Sequence, residues 1–533
     1  MKGVVVAPQA RAVEAGARAL ETGGNAFDAA IATAFMQMVV DPFMGSPGGM
    51  GTANVYVAAT RENTIIDFHA RAGSKARPDM WMKDFKGYST VKWYSMFDDD
   101  RSQMGHTCVM TPGTIAGLSE IHRSYGTMPW GDLIEPAIKM ARDGFKVPAH
   151  LTRFLDSPGE AGVVDAITKL KANPACGRIY LGKDSKFLQV GALLRNKDMA
   201  KTLEILAKEG PDALYHGTLA RAIVKDFKAN KGYITEQDLA SYKPRRNTPL
   251  MTTYRGYKIT SNLPPGGGPG VIELLNILEG FPLGKLDHNG PEHLNILIRA
   301  MQVMYGDRSK YLGDPDFVKV PLDRIFLSKE YAKKKQQAIK EGRVRPPKNV
   351  GGEGGTTNLC VIDAANNVID ITHTIGNSSG VVTPGLGFMY NNSMKFFHVE
   401  PGRANSIAPG KARTTGMCPT IVFKGGKPVF TAGAPGGAII ITSVLQSICN
   451  LIDFGMTAVE AVSAPRIHCQ GAVVFADTTI RSDTCEALRK MGHHVEQQMV
   501  GSFPQVARIR ADGSLDGGSD PRAEYVGIAY ARG

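Results

Sequence analysis

The hydrophobic positions change their spacing once along the chain. In the N-terminal two thirds, apolar side chains recur mostly at helical spacing, and beyond residue 355 they mostly alternate with polar ones. A period of 3.6 residues indicates helices that pack on one face, whereas a period of 2 indicates strands. The pattern therefore predicts an α+β protein with a helix-rich N-terminal part and a strand-rich C-terminal part.

The N-terminal part is predicted to begin with two helices. Residues 9–22 carry small or apolar side chains at helical spacing, Gly23 and Gly24 end this helix, and Asn25 caps an alanine-rich helix that reaches residue 40. Further elements are predicted downstream: strands at residues 53–58 and 64–68, mostly helices at 114–240, and a helix at 271–279.

The clearest predicted boundary is the segment 333–355, which is rich in charge, proline and glycine and poor in apolar residues. Two hairpins are predicted beyond it, pairing 357–363 with 368–375 and 420–423 with 429–432. A glycine loop at 433–437 then leads into an apolar helix that starts near Ala438. Free N–H groups where such a loop enters a helix are suited to stabilise a developing oxyanion.

Thr356 stands where the glycine-rich segment meets the first C-terminal strand, and two interpretations are open. Threonine is a favoured β-branched residue, so it could simply open an ordinary strand. Alternatively, the chain is cut between Gly355 and Thr356, which frees a threonine whose own α-amine can act as base for its hydroxyl. This window alone does not decide between them.

Composition indicates a soluble globular protein, with 43% hydrophobic and 21% charged residues among 533. No apolar run approaches the roughly 20 residues of a transmembrane helix, so no membrane association is expected. The N-terminal apolar patch is too short for a secretory signal, which predicts a cytoplasmic protein. The seven cysteines are scattered without a CxxC pair, as is typical of a reduced compartment.

Charge and histidine patterns exclude several kinds of partner. The net charge is +12, but the lysines and arginines are spread out and accompany no nucleic-acid-binding module. An anionic small substrate or a solvated surface explains the excess equally well. The adjacent His493 and His494 have no partner at metal-ligand spacing, so no metal is expected. The glycine loop at 45–51 lacks the Lys-Ser/Thr ending of a phosphate-binding loop, so no cofactor is expected.

A competing nucleophile motif lies at residues 376–380, whose sequence GNSSG fits the pattern G-x-S-x-G. In a nucleophile elbow this pattern follows a strand and leads directly into a helix. The sequence VVTPG that follows cannot readily begin a helix, which weighs against a serine hydrolase.

Several short motifs together resemble the γ-glutamyltranspeptidases, which are N-terminal nucleophile hydrolases made as one chain that cuts itself into two subunits. Each motif alone is weak, but their order and spacing are specific. They are GGNAFDAA at 23–30, PGTIAGL at 112–118, YGTMPW at 125–130, ARDGF at 141–145, LNILEG at 275–280, GDP at 313–315, TT at 356–357, PT at 419–420, GAPGG at 433–437, APR at 464–466 and DPR at 520–522.

The resemblance implies a four-layer αββα sandwich that is cut between Gly355 and Thr356. Residues 1–355 would form a large, mostly helical subunit with core strands, and residues 356–533 a strand-rich small subunit that starts at the nucleophile. Together they would form one αββα domain. The resemblance also implies that Thr356 is the nucleophile, that Gly436 and Gly437 supply the oxyanion hole, and that the Thr374 hydroxyl supports Thr356. Thr374 could instead be a strand residue that merely faces a neighbour.

The substrate pocket departs from the family pattern. Family members hold the glutamyl α-carboxylate and α-amine with a polar set of residues that is altered here. In its place the chain carries His69, Arg71, Gly376, Lys395, Thr415 and Gly416.

The replacement of an aspartate by Lys395 matters most. The aspartate receives the substrate ammonium in the family, and a lysine repels it by several kcal/mol at a few ångströms. We therefore expect an anionic acyl group, bound by Lys395 with Arg71 or His69. Lys395 could also extend into solvent, as lysines often do.

Three functions follow from these observations. The first is a self-processing N-terminal threonine amidohydrolase or acylase, which cleaves an amide of an anionic, dicarboxylic-type acyl group through an acyl-enzyme. The second is a γ-glutamyltransferase or glutathione hydrolase with an altered pocket, and the third is an inactive scaffold or binding protein. The expected partners are a small anionic amide, water or an amine acceptor, the two subunits of one precursor, and a second processed protomer in a homodimer.

Overall fold

The structure is a computed structural model, which describes residues 2–89, 94–156, 162–347, 354–523 and 526–532. Eighteen strands are found in these ranges: β1 Gly3–Ala7, β2 Met50–Val57, β3 Glu62–Phe68, β4 Phe145–Lys146, β5 Leu193–Leu194, β6 Arg245–Asn247, β7 Leu250–Tyr254, β8 Tyr257–Ser261, β9 Gly355–Asp363, β10 Val368–Gly376, β11 Thr420–Lys424, β12 Lys427–Gly433, β13 Ile467–Cys469, β14 Val473–Ala476, β15 His494–Gln497, β16 Gln505–Ile509, β17 Leu515–Ser519 and β18 Gly527–Ala531.

The same ranges contain seventeen α-helices: α1 Ala10–Glu21, α2 Ala26–Val40, α3 Thr114–Tyr125, α4 Trp130–Asp143, α5 Ala149–Asp156, α6 Ala166–Ala172, α7 Pro174–Tyr180, α8 Lys197–Glu209, α9 Asp212–Tyr215, α10 Thr218–Ala229, α11 Glu236–Ala240, α12 Gly268–Leu278, α13 Pro291–Tyr311, α14 Lys329–Lys340, α15 Ile439–Ile452, α16 Ala458–Ser463 and α17 Ser482–Lys490. Among these described helices, none is both long and apolar enough to cross a membrane. The described residues also contain no group of three or more metal-binding side chains.

Two large sheets form the centre of the molecule. The first has seven strands in the order β18-β1-β9-β10-β2-β3-β6, and the second has six in the order β17-β16-β12-β11-β8-β7. Strand β9 therefore lies between β1, from the N-terminus, and its own hairpin partner β10. Each large sheet combines strands from both sides of the segment that precedes Thr356.

Three clusters of buried apolar side chains lie between four layers. The first packs α1–α4 against the outer face of the seven-stranded sheet and includes Phe35 and Leu359. The second packs α12, α13 and α15 against the six-stranded sheet and includes Leu274. The third lies between the two sheets and includes Cys360 and Ile421. Successive residues of β9 enter opposite clusters, as the alternation of strand side chains requires, and the predicted αββα sandwich is confirmed.

Most predicted elements are found close to their expected bounds. Asn25 caps α2 in a capping box with Asp28, and both predicted hairpins are present, as β9–β10 and β11–β12. The predicted boundary at 333–355 was drawn too early, because the first part of this charged segment continues α14 to Lys340. A surface helix needs few apolar side chains, so its polar composition resembled a linker. Residues 348–353 of that segment lie outside the described ranges.

The motif GNSSG ends β10 and leads into turns rather than a helix. Ser378 has a φ of 66°, as an elbow serine would, but its side chain is buried. Its hydroxyl accepts a hydrogen bond from the N–H of Gly380 at 3.1 Å. The serine-hydrolase interpretation therefore lacks both the helix and an accessible nucleophile.

Candidate active site

Thr356 is the second residue of β9 and lies at the end of a central strand of the seven-stranded sheet. Its side chain lines a cleft with about 680 Å³ of empty volume, counted together with the solvent at its mouth. Gly354 and Gly355 line the same cleft, so the peptide bond before Thr356 is also part of it. The strand thus presents both a hydroxyl and a peptide carbonyl to one hollow.

The Thr374 side chain lies between these two groups. Strand β10 pairs with β9 in antiparallel register, with an irregularity between His373 and Gly376 that brings Thr374 beside the start of β9. The Thr374 hydroxyl donates to the carbonyl of Gly355, and the Thr356 hydroxyl lies 3.3 Å from the Thr374 oxygen. The N–H of Gly376 donates to Thr374 Oγ1 at 2.8 Å. Thr374 therefore contacts both the hydroxyl and the peptide bond next to it.

A buried polar network fixes the strand immediately behind Thr356. The Thr357 hydroxyl accepts hydrogen bonds from the side-chain amides of Gln37 at 2.9 Å and Gln9 at 3.1 Å. The Gln37 carbonyl oxygen lies 2.8 Å from His373 Nε2. Burial lowers the pKa of His373 to about 3, so this imidazole is neutral and donates from Nε2. Such a network holds the start of β9 in one position.

The glycine loop before α15 supplies free backbone donors, as predicted for an oxyanion hole. Gly436 and Gly437 have φ angles of 128° and 64°, which favour glycine. Within the described part of the chain, neither of their N–H groups donates a hydrogen bond. Gly437 lines the cleft beside Thr356, and Gly436 precedes it in the loop. The Gly437 N–H group is therefore free at the wall of the cleft, whereas Gly436 is not part of the cleft lining.

Two further glycines fit the cleft only as glycines. Gly376 has a φ of 71°, and a Cβ atom there would lie 2.5 Å from Asn392 Oδ1. A Cβ atom on Gly416 would lie 1.9 Å from the carbonyl oxygen of Gly437. Thr415 and Gly416 both line the cleft. A side chain at position 376 would therefore press on the side chain of Asn392, and one at position 416 would displace the backbone of Gly437.

Lys395 also lines the cleft, and its side chain is only 2% exposed. Its ammonium lies 3.8 Å from the centroid of the Tyr94 ring and 5.0 Å from that of Phe396. An ammonium over an aromatic face is attracted by the quadrupole of the ring. The alternative that Lys395 extends into solvent is wrong for this structure.

His69 and Arg71 do not line the cleft, which differs from the expectation that they bind substrate with Lys395. The His69 ring is buried and pairs with Asp67, and the Arg71 guanidinium lies 3.6 Å from the carboxylate of Asp314. Burial favours a raised pKa for Asp67, but the contacts with His69 lower it overall. Both side chains are therefore paired with carboxylates of the protein itself. The sequence alone does not reveal these pairs.

Two arginines that the sequence analysis missed line the cleft instead. Arg308 lies on α13, and Arg413 lies in the segment that leads to β11. A signal for Arg308 was present, because it follows Met301, Met304 and Tyr305 at helical spacing on the buried face of α13. For Arg413 the only signal was its position two residues before Thr415.

The cleft has an unusual balance of charge. Arg308, Lys395 and Arg413 line it, and its lining includes no aspartate or glutamate among the described residues. His398 contributes no charge near neutral pH, because burial lowers its pKa to about 4. The hydroxyl that faces this cleft therefore shares it with three basic side chains and with no acidic side chain among the described residues.

A four-layer αββα sandwich with a threonine hydroxyl at the start of a central strand defines an N-terminal nucleophile hydrolase. The family model described as Gamma-glutamyltranspeptidase matches residues 12–530. The chain belongs to the γ-glutamyltranspeptidase family, which confirms the resemblance drawn from the motifs, and it is an enzyme of the hydrolase and acyltransferase kind.

Relatives in the family carry two kinds of name. The chain is 35% identical over 544 residues to the glutathione hydrolase proenzyme of Escherichia coli K12, which covers 98% of this chain and 90% of the relative. It is also 35% identical over 542 residues to the acylase ACY 1 proenzyme of Pseudomonas sp. strain V22, covering 100% and 94%.

Among solved structures, the cephalosporin acylase from Bacillus halodurans is similar over the whole length. Its TM-score is 0.88 at 27% identity, and the match covers 100% of this chain and 96% of that one.

Proposed function

We propose that the chain cuts itself before Thr356 and then hydrolyses amides with Thr356 as the nucleophile. The contacts around the Gly355–Thr356 bond support the first step. The Thr356 hydroxyl oxygen attacks the Gly355 carbonyl carbon, the C–N bond breaks, and the resulting ester is hydrolysed by water. The Thr374 hydroxyl, which donates to that carbonyl, stabilises the negative charge that develops on its oxygen.

The new N-terminus then supplies the base for turnover. A free α-amine has a pKa of about 7.7–8.0, so a useful fraction accepts the hydroxyl proton near neutral pH. The Thr356 oxygen attacks the substrate carbonyl, and the α-ammonium returns the proton to the leaving amine. The N–H groups of Gly436 and Gly437 bind the oxyanion, and water or an amine releases the acyl group. By this proposal residues 1–355 and 356–533 are the subunits of one precursor.

The charge of the cleft carries our proposal for the substrate, which is an amide of an anionic, dicarboxylic-type acyl group. Three cations line the cleft without a carboxylate among the described residues. An acyl group with a negative charge is attracted there, whereas an α-ammonium is repelled. The similarity to proteins named acylases supports the cleavage of an amide other than a γ-glutamyl compound.

A second candidate is hydrolysis or transfer of γ-glutamyl groups, which the similarity to glutathione hydrolase proenzymes favours. Gly376 and Gly416 weigh against it, because neither supplies a side chain that could hold a glutamyl group, and a Cβ atom on Gly416 would lie 1.9 Å from the Gly437 carbonyl oxygen. A cytoplasmic location and a homodimer of processed protomers remain predictions.

A denaturing gel and two substrates test the proposal. The wild-type chain should give fragments 1–355 and 356–533, and Thr356→Ala should remain a single chain without activity. The processed enzyme should hydrolyse glutaryl-p-nitroanilide at least about tenfold better than γ-glutamyl-p-nitroanilide, since each tenfold preference requires only about 1.4 kcal/mol. A persistent full-length wild-type band without turnover would overturn the enzyme proposal. Preference for the γ-glutamyl compound would overturn the substrate class.

A further inference from the structure

We propose that Arg308 and Arg413 together form the subsite that binds the carboxylate of the acyl group, an inference that rests on the proposed function. Arg308 lines both the cleft of Thr356 and an adjoining hollow of about 470 Å³, again counted with open solvent. The two hollows also share Phe396, on whose ring the Arg413 guanidinium packs at 4.3 Å. Arg308 thus stands where the two hollows meet, and Arg413 lines the cleft and packs on a ring that both hollows share.

Neither arginine forms an ion pair with a carboxylate in the described part of the chain. Arg413 is 6% exposed, and its Nη1 donates to the carbonyl of Thr414 at 2.9 Å. Its Nε has no hydrogen-bond partner among the residues that the structure describes. Arg308 is half-buried, and among the described residues its side chain makes no hydrogen bond and no ion pair. Both guanidinium groups therefore keep donors available to a ligand in the cleft.

Asp314, whose carboxylate contacts the backbone directly before Arg413, already has partners of its own. The carboxylate of Asp314 accepts from the N–H of Ala412 at 2.8 Å, directly before Arg413. It also lies 3.6 Å from Arg71 and 3.7 Å from Arg245. Asp314 is therefore balanced by two other arginines, and the charge of Arg413 is left for an external anion.

The two guanidinium groups also act on each other. Burial lowers the pKa of Arg413 to about 9, and the positive charge of Arg308 contributes to this shift. Arg413 still carries its charge near neutral pH. Two dehydrated cations that face one cleft destabilise the empty site, and a bound carboxylate relieves both the repulsion and the missing hydrogen bonds. The planar fork of a guanidinium matches the two oxygens of a carboxylate, which gives geometric selectivity.

Lys395 has a different role in this assignment. Its ammonium packs on the Tyr94 ring, so it adds to the positive potential of the cleft while the arginines make the direct contacts. In this proposal the two arginines bind the carboxylate directly, whereas the sequence analysis expected Lys395 to do so. The substrate class becomes a half-amide of a dicarboxylic acid whose free carboxylate reaches the junction of the two hollows.

Paired substrates test the subsite. Glutaryl-p-nitroanilide is compared with the analogue whose terminal carboxylate is replaced by a carboxamide of nearly the same shape. Arg413→Gln and Arg308→Gln should each lower kcat/KM for the acid by roughly 10–100-fold, the value of a lost charge-assisted hydrogen bond. The same variants should change kcat/KM for the carboxamide less than about threefold, because it carries no charge to lose. Arg246→Gln is the matched control, because Arg246 pairs with Glu62 and Glu120 outside the cleft.

A binding measurement keeps the inference testable apart from turnover. Glutarate should raise the melting temperature of the wild type and of Arg246→Gln, but not of Arg413→Gln or Arg308→Gln. An equal loss on both substrates, or a retained glutarate response in the arginine variants, would overturn the subsite. A wild type that binds glutarate but hydrolyses neither anilide would instead overturn the proposed function and leave the subsite standing.

Discussion

Two buried arginines of this molecule have opposite surroundings. Arg466 is fully buried, pairs with Asp520 and donates to the carbonyls of Val462 at 2.6 Å and Ser502 at 2.8 Å. Arg413 is almost as buried but has one carbonyl and one aromatic ring as neighbours. In both arginines Nε has no hydrogen-bond partner within the described ranges, so the difference lies in the terminal nitrogens.

By the proposed assignment, this difference separates a charge that serves the fold, at Arg466, from a charge that binds a ligand, at Arg413. Burial lowers the pKa of both arginines, to about 10 for Arg466 and about 9 for Arg413, and only Arg466 has a carboxylate that opposes the shift. Arg522 joins the same cluster by pairing with Asp520 and Asp477. The APR and DPR motifs thus form one structural unit, although 54 positions separate Arg466 from Asp520.

The largest effect is expected when the satisfied cluster is broken. Arg466→Met should lower the free energy of unfolding by about 3–5 kcal/mol, because it leaves Asp520 buried with a single cation. Urea unfolding measures this, with Arg246→Met as the surface control that should change stability by less than about 0.5 kcal/mol. An Arg466→Met variant as stable as the control would show that the cluster does not hold the fold.

Asp370 is the acidic counterpart of Arg413, because it is a buried ionisable group without an oppositely charged partner among the described residues. Asp370 accepts hydrogen bonds from Asn358 at 2.7 Å and Thr431 at 2.9 Å but has no cation partner among the described residues. Burial raises its pKa from 3.8 to about 7. Because the folded state binds this proton more tightly than the unfolded state, the contribution of Asp370 to stability is greatest below pH 4 and falls as the pH rises to about 7.

Replacing Asp370 with asparagine should remove this dependence. Asp370→Asn should be more stable than the wild type at pH 8 by on the order of 2 kcal/mol. The gain should shrink towards pH 5, where the wild-type carboxyl is already protonated. Unfolding curves at the two pH values measure the difference. A gain that is equal at both values would mean that Asp370 does not titrate in this range.

The smallest effect is expected at Arg413, and like that of Asp370→Asn it is opposite in sign to that of Arg466→Met. Arg413→Met should raise the free energy of unfolding by about 1 kcal/mol, because it removes a buried charge without a carboxylate partner. Glutarate should reduce the difference in free energy of unfolding between Arg413→Met and the wild type, because it should stabilise only the wild type. A loss of stability in Arg413→Met would place Arg413 with Arg466 as a structural residue.

Sequence periodicity predicted the elements that pair with a neighbour close by in the sequence. The hairpin β9–β10 was found because its alternation and turn lie within one short window. The pairing of β1 with β18 was not predicted, because it joins the two ends of the chain. The order of the family motifs also predicts Thr356 as the nucleophile, and this role stays a prediction.

The ligand-facing cations could not be chosen from the sequence in the same way. Arg71 and Arg413 are both arginines near motif residues, and only the position of Asp314 decides which of them is neutralised. Pairing between side chains distant in sequence depends on tertiary structure, so local pattern placed Arg71 in the cleft and missed Arg413. The need for glycine at position 416 likewise becomes clear only from the tertiary structure, because a Cβ atom there would lie 1.9 Å from the Gly437 carbonyl oxygen.

The position of β1 in the seven-stranded sheet has a consequence for refolding. β1 comes from the N-terminal fragment, yet it hydrogen-bonds on both sides to strands of the C-terminal fragment, β9 and β18. Before the proposed cut the covalent chain keeps β1 at a high effective concentration near β9 and β18. After the cut only non-covalent contacts hold the two fragments together. The processed protein should therefore unfold as one unit, but recover slowly and in a concentration-dependent way, since the separated fragments must first meet by diffusion.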